Sequence, residues 1–192
     1  MAPKVNFNAE EPAREEKQDE KQDEAHLQPE RSKKSYSSML CHSKDEDADN
    51  QSTAPKNIHE AAERGNTGFI VRLIERSLDF NINQKDNLGR TALHWAAELN
   101  RVQAAEALLD YGIDITIPES NGRTAVHLAA RAGHTDMLQT IMEGISQEQK
   151  EAMINQPDQF GITPVYLALQ KGNANNAAFE WLMDNGGKYN AS

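Results

Sequence analysis

The stretch DNLGRTALHWAAELNRVQAAEALLDYGIDITIP, residues 86–118, recurs at once as ESNGRTAVHLAARAGHTDMLQTIMEG, which begins at Glu119. The matching glycines, threonines and histidines of the two copies lie 33 residues apart, as His94 and His127 do. A third copy, DQFGITPVYLALQKG, begins at Asp158. Self-similarity at such a period predicts a stack of short helical units that share one continuous core.

The residues of the 86–118 repeat predict a turn followed by two helices. Gly89 supplies the positive φ angle that the turn needs. Thr91 is placed to cap the first helix, and His94 at the third helical position can return a hydrogen bond towards that cap. Asn100 stands where the other repeats have glycine, because asparagine tolerates the left-handed conformation that ends a helix better than most residues.

The same pattern divides the chain into a tail and four repeats. We predict repeats at about 55–85, 86–118, 119–157 and 158–192, and an acidic, disordered tail at 1–54. The tail has 13 acidic and 8 basic residues and few apolar ones, so it cannot bury enough surface to offset its ordering entropy. Its one basic cluster lies within the serine-rich segment RSKKSYSS at 31–38, which suits a phosphorylation target or a weak nuclear signal.

The third repeat is longer than the second, since Gly122 and Gly161 are 39 residues apart. The extra residues lie in SQEQKEA, 146–152, where Ser146 followed by Gln149 has the form of a capping box. This insertion therefore predicts an added helical turn beside the second helix of the third repeat.

Composition excludes several classes of function. The net charge of −10 argues against direct binding to nucleic acid or to an anionic membrane. The single cysteine, Cys41, rules out an intrachain disulfide, and the N-terminus lacks the apolar core of a signal peptide. We therefore expect a cytoplasmic monomer, with the nucleus as a second compartment. His94 and His127 are too far apart to share a metal ion, so we expect no metal and no cofactor.

Residues 55–190 resemble the ankyrin-repeat family through the pattern G-x-T-x-L-H-x-A-A, over about 70% of the chain. The resemblance implies an all-α solenoid of paired antiparallel helices with turn or hairpin fingers. Members bind other proteins through a concave face, as scaffolds, adaptors or inhibitors such as those of NF-kappa-B, and the array itself is not an enzyme.

The layout of that family assigns the candidate binding residues to turn tips and to the ends of first helices. Arg90, Arg123, Arg131 and Lys171 predict a basic face, and Leu88, Phe160 and Ile162 add apolar anchors, so we expect a protein partner with an acidic or apolar surface. The remaining candidates are polar or lie at helix ends: Asn87, Glu98, Leu99, Ser120, Asn121, Gln159 and Gln170.

Four hypotheses stay open at this stage. The first is an inhibitor of a transcription factor, because the chain resembles the cytoplasmic inhibitors of NF-kappa-B in having serines before a short array. The second is an auxiliary subunit of an enzyme complex. The acidic run 10–24 can fold back on the basic face and compete with a partner. Asn81 lies in a context similar to that of hydroxylated ankyrin asparagines, although the same pattern is the repeat consensus.

Overall fold

The computed structural model describes residues 54–77, 79–170 and 177–189. All the regular elements in these ranges are α-helices, which confirms the predicted fold class. The predicted tail, apart from Ala54, lies outside the described residues, and so does Lys171. The helices are α1 Ile58–Arg64, α2 Thr67–Arg76, α3 Ala92–Glu98, α4 Val102–Asp110, α5 Ala125–Ala132, α6 Thr135–Met142, α7 Gln147–Ile154, α8 Pro164–Gln170 and α9 Ala177–Asp184.

Two layers of helices run through the stack. The first helices α1, α3, α5 and α8 contact one another in that order, and the second helices α2, α4, α6 and α9 do the same. Each of the four predicted repeats contains one such pair. Alanine makes the close packing within the first layer possible, because Ala96, Ala97, Ala129 and Ala130 are fully buried.

Local hydrogen bonds begin the helices where the sequence predicts. Thr91 and His94 form a capping box at α3, and the equivalent pair, Thr124 and His127, forms one at α5. Asn100 has φ of 55°, so it takes the predicted left-handed conformation at the end of α3. These bonds satisfy backbone groups that a helix end would otherwise leave without partners.

The insertion forms helix α7, which confirms that it is helical rather than a loop. Ser146 and Gln149 make the predicted capping box. The contacts of α7 reach further along the stack than predicted, because its ends bind the segment that follows α9. Gln147 Nε2 donates to the Asn185 carbonyl at 3.1 Å, and Asn155 Nδ2 donates to the Gly186 carbonyl at 2.9 Å. The insertion therefore links the third repeat to the fourth.

Gly122 and Gly161 offer a matched test of how closely neighbouring turns approach. Both have φ of +76°, but a Cβ at Gly122 would lie 2.8 Å from the backbone nitrogen of Gln159, whereas a Cβ at Gly161 meets nothing within 4 Å. We expect Gly161→Ala to lower the free energy of unfolding by about 1–2 kcal/mol through the φ penalty alone. Gly122→Ala should cost at least about 1 kcal/mol more, because the next turn must move. Urea denaturation of both variants measures this, and equal losses would contradict the close approach.

Candidate functional site

The three turns 86–90, 119–123 and 158–162 each begin with an acidic residue. In the first turn Asp86 Oδ1 accepts hydrogen bonds from the backbone N–H groups of Leu88 and Arg90, both at 2.8 Å. Asp158 Oδ1 does the same for Phe160 and Ile162, both at 2.9 Å. A side-chain acceptor that binds two amides of its own turn holds that turn in one conformation.

The tips of consecutive turns are also bonded to one another. The Leu88 carbonyl accepts from the backbone N–H of Ser120 at 3.1 Å and from its hydroxyl at 2.6 Å. One repeat further along, the Asn121 carbonyl accepts from the backbone N–H of Gln159 at 3.1 Å. The side-chain amides of these two residues bond as well, from Gln159 Nε2 to Asn121 Oδ1 at 3.1 Å. The tips therefore form one continuous row across three turns.

This tip row presents exposed apolar side chains at its two ends. Leu88 is 52% exposed and Phe160 is 64% exposed, on turns whose backbones are fixed. Leu99 is 40% exposed at the end of α3, whereas Ile162 is only partly exposed. The polar candidates are exposed along the same row and at the end of α8: Asn87, Ser120, Asn121, Gln159 and Gln170.

The arginines of the predicted basic face are paired with carboxylates of the same chain. Arg90 donates from Nε to Glu119 at 2.8 Å and from Nη1 to Glu98 at 2.7 Å, and its side chain is 14% exposed. Arg123 Nε donates to Asp158 at 2.9 Å, with its side chain 17% exposed. Each charge is thus paired with a carboxylate of the same chain, and the part of both residues in binding a partner stays a prediction.

Arg131 and Glu98 complete this set of ion pairs. Glu98 accepts from Arg131 through Oε1 and from Arg90 through Oε2, so one carboxylate joins the turn before α3 to helix α5. The Arg90 guanidinium also lies 4.9 Å from the ring centroid of Trp95. Glu98 and Arg131, both candidates for binding a partner, thus bind each other across a repeat boundary.

These pairs shift the pKa values of the charged groups. Burial alone would lower the pKa of Arg90, but its bonds and charge interactions with Glu119 and Glu98 raise it. Burial alone would raise the pKa of Asp158, but the Ile162 and Phe160 amides and the Arg123 side chain lower it below its ordinary value. Arg90 and Asp158 are therefore both charged at neutral pH.

The acceptors Asp86, Glu119 and Asp158 are the residues that the site prediction missed. A signal for them was present, because an acidic residue opens every turn and in two of the three an arginine follows four residues later. Neither arginine binds the acid of its own turn, however. Arg90 reaches Glu119 and Arg123 reaches Asp158, each at the start of the next turn.

The two buried histidines serve as helix caps. His94 Nδ1 accepts from the Thr91 backbone N–H at 3.1 Å, so its Nε2 carries the proton and donates to the Arg123 carbonyl at 3.1 Å. Burial lowers the pKa of His94 to about 4. Burial also lowers the pKa of His127, which caps α5 in the same way through Thr124.

Asn81 uses its side chain locally, since its Oδ1 accepts from the Asn83 backbone N–H at 3.0 Å. Hydroxylation of this residue stays a prediction. None of the helices in the described ranges is both long enough and apolar enough to span a bilayer.

Comparison with known proteins places the repeats among ankyrin sequences. Residues 93–141 match the family model described as ankyrin repeats in many copies. The chain is 30% identical to chicken (Gallus gallus) inversin over 116 residues, which is 60% of this chain and 10% of inversin. It is 33% identical to alpha-latrotoxin-Lg1a of Latrodectus geometricus over 123 residues, 64% of this chain and 9% of the toxin.

A third relative is the human (Homo sapiens) ARF GTPase-activating protein GIT1, 31% identical over 100 residues, 52% of this chain and 13% of GIT1. The chain therefore spans about a tenth of the length of the curated relatives it matches.

The low pKa of His94 predicts a pH dependence of stability. The unfolded chain binds a proton at this site near its ordinary pKa of 6.5, while the folded chain does so only near pH 4. Stability is therefore lost as the pH falls from 6.5 towards 4, by about 2 kcal/mol between pH 7 and pH 5. The His94→Gln variant keeps a capping side chain that cannot titrate. Its free energy of unfolding should therefore fall by that much less than the wild type's between these two pH values. Urea denaturation at both pH values checks this, and a variant with the wild-type pH slope would contradict it.

Proposed function

Because this chain belongs to the ankyrin-repeat family, we propose that it acts as an adaptor, scaffold or regulatory inhibitor whose protein partner docks on the tip row. Ankyrin repeats imply a protein–protein interaction module, and they are typically non-enzymatic. Placement in the cytoplasm or nucleus and action as a monomer are parts of the same proposal.

The observation that carries the proposal is the exposure of Leu88 and Phe160 on rigid turns. Covering an exposed apolar side chain with a partner is favourable by roughly 25 cal/mol per Å² of apolar area removed from water. A rigid backbone lowers the entropy lost on binding, because the anchor is already in position. The bonds from Asp86 and Asp158 to their own turns provide that rigidity.

The ion pairs change the chemistry expected of the partner. Arg90 and Arg123 are bonded within the chain, so an acidic partner would have to compete with Glu119 and Asp158 for them. Breaking a largely buried pair leaves an uncompensated charge and is strongly unfavourable. The partner surface that suits this site is therefore apolar at two points and polar but uncharged between them, opposite Asn121 and Gln159. Binding should then depend only weakly on salt.

Replacing the two apolar anchors tests the proposal. Leu88→Ser combined with Phe160→Ser should lower partner affinity at least about tenfold, because each lost anchor removes buried apolar contact. The measurement is affinity capture with mass spectrometry, followed by titration of the recovered partner.

A matched control removes comparable apolar surface elsewhere. Met183 and Tyr189, which are 38% and 37% exposed, lie in and after α9, away from the tip row. Met183→Ser combined with Tyr189→Ser should retain wild-type affinity. If the two double variants bind equally well, the partner does not use the tip row.

A further inference from the structure

Helix α2 has an open side, because none of the described helices lies before it in the second layer. In that layer α2 contacts α4, and α4 in turn contacts α6. The repeats match at Gly65 and Asn100, so Phe69, Arg72 and Leu73 of α2 correspond to three positions of α4. Those positions are at most 1% exposed: Ala104, Ala107 and Leu108. On α2, by contrast, Arg72 is exposed and the two apolar side chains are only partly buried.

The open side carries a groove of about 310 Å³, which is lined by Phe69, Arg72, Leu73 and Arg76. These residues are spaced three and four apart along α2, so their side chains share one face of the helix. Ile70 is fully buried and fixes α2 to the core of the stack. The position of this α2 groove is therefore set by the fold.

The two arginines of the α2 groove hold no carboxylate. Among the described residues neither Arg72 nor Arg76 forms an ion pair, whereas the arginines of the turns each bind an acid of the next turn. Arg72 Nε donates to the Gly68 carbonyl of its own helix at 3.2 Å. The acid between the two arginines, Glu75, accepts instead from the Tyr111 hydroxyl at 2.6 Å. The groove thus combines two apolar side chains with two positive charges that no carboxylate pairs.

We propose that the α2 groove binds an amphipathic helix of a partner protein, with carboxylates beside its apolar stripe. Phe69 and Leu73 suit leucine-like side chains, and Arg72 and Arg76 suit the carboxylates. The two arginines are four residues apart, about 6 Å along the helix axis, and carboxylates four residues apart on a second helix have the same spacing. A helix also suits the space, because within the stack the place beside α4 is taken by another helix, α2 itself.

An acidic helix fits this groove better than a polyanion or an anionic bilayer does. The net charge of −10 repels a nucleic acid or an anionic membrane over long range, and two arginines do not outweigh it. Phe69 and Leu73 are partly buried, so they can contact side chains that reach into the groove but cannot insert into a bilayer. The carboxylates select the partner by charge, while the apolar contact supplies most of the affinity.

The test titrates the full chain with a labelled designed peptide, a helix of about 18 residues with a leucine stripe flanked by glutamates. Binding is compared between two variants that change the net charge equally. Arg72→Glu with Arg76→Glu reverses the groove, and Lys56→Glu with Lys188→Glu reverses two exposed lysines outside it. Fluorescence anisotropy should show binding to the groove variant at least about tenfold weaker than to the lysine variant, and about 0.5 M salt should shrink this difference.

A second peptide with lysine in place of each glutamate provides the charge exchange. It should bind the groove variant more tightly than the lysine variant, because its charges now match Glu at positions 72 and 76. Equal binding of the glutamate peptide to both variants overturns the proposal, as does failure of the lysine peptide to prefer the groove variant. Arg72 and Arg76 are exposed and unpaired in the described residues, so both variants should keep the wild-type urea midpoint.

Hydrogen exchange of the unaltered chain locates the peptide without any substitution. Saturating glutamate peptide should increase protection in the segment 67–76, and unchanged exchange there would contradict the proposal. The tip-row variant, Leu88→Ser with Phe160→Ser, should bind this peptide as the wild type does. Failure at the α2 groove and failure at the tip row are therefore distinguishable.

Vesicles that contain phosphatidylserine serve as a second ligand for the same two variants. We expect neither variant nor the wild type to be retained on them. Retention that the groove variant loses, together with no binding of the glutamate peptide, would overturn the proposal in favour of a membrane contact.

Discussion

The structure depends on one carboxylate at the head of each turn. Asp158 shows the arrangement most fully, because one oxygen binds two amides of its own turn and the other accepts from Arg123 of the turn before. Glu119 accepts from Arg90 of the preceding turn in the same way. Asp158 thus both shapes its own turn and ties it to the turn before, whereas Asp86 shapes its turn and Glu119 ties its turn to the preceding one. The row of tips is completed by the backbone bonds from Ser120 to Leu88 and from Gln159 to Asn121.

This constraint separates the residues that hold the stack from those left for recognition. The arginines, which suggest binding when the sequence is read alone, are structural ties between repeats. The side chains that remain exposed on the tip row are apolar at Leu88 and Phe160. Between these two lie exposed side chains that carry amide groups. The features peculiar to this chain are the apolar tips and helix α7, which binds the segment after α9.

Local features were predictable from the sequence, and contacts between repeats were not. The caps at Thr91 and Ser146 and the left-handed Asn100 depend on residues within four positions, which the sequence displays directly. The pairing of Arg90 with Glu119 spans 29 residues and depends on how far one turn is displaced from the next. The period alone places both residues on turns but does not say whether their side chains meet. The same holds for helix α7. Its capping box could be predicted from the sequence, but the bond from Asn155 to Gly186, 31 residues away, could not.

A double-mutant cycle on Arg123 and Asp158 tests most directly whether the arginines hold the stack together. Urea denaturation of the wild type, Arg123→Met, Asp158→Asn and the double variant gives the coupling between the two side chains. The Asp158 side chain is fully buried and that of Arg123 is 17% exposed, so we predict a coupling of about 1–3 kcal/mol. A coupling close to zero would contradict the account, because the pair of Arg123 and Asp158 would then not stabilise the contact between the two turns.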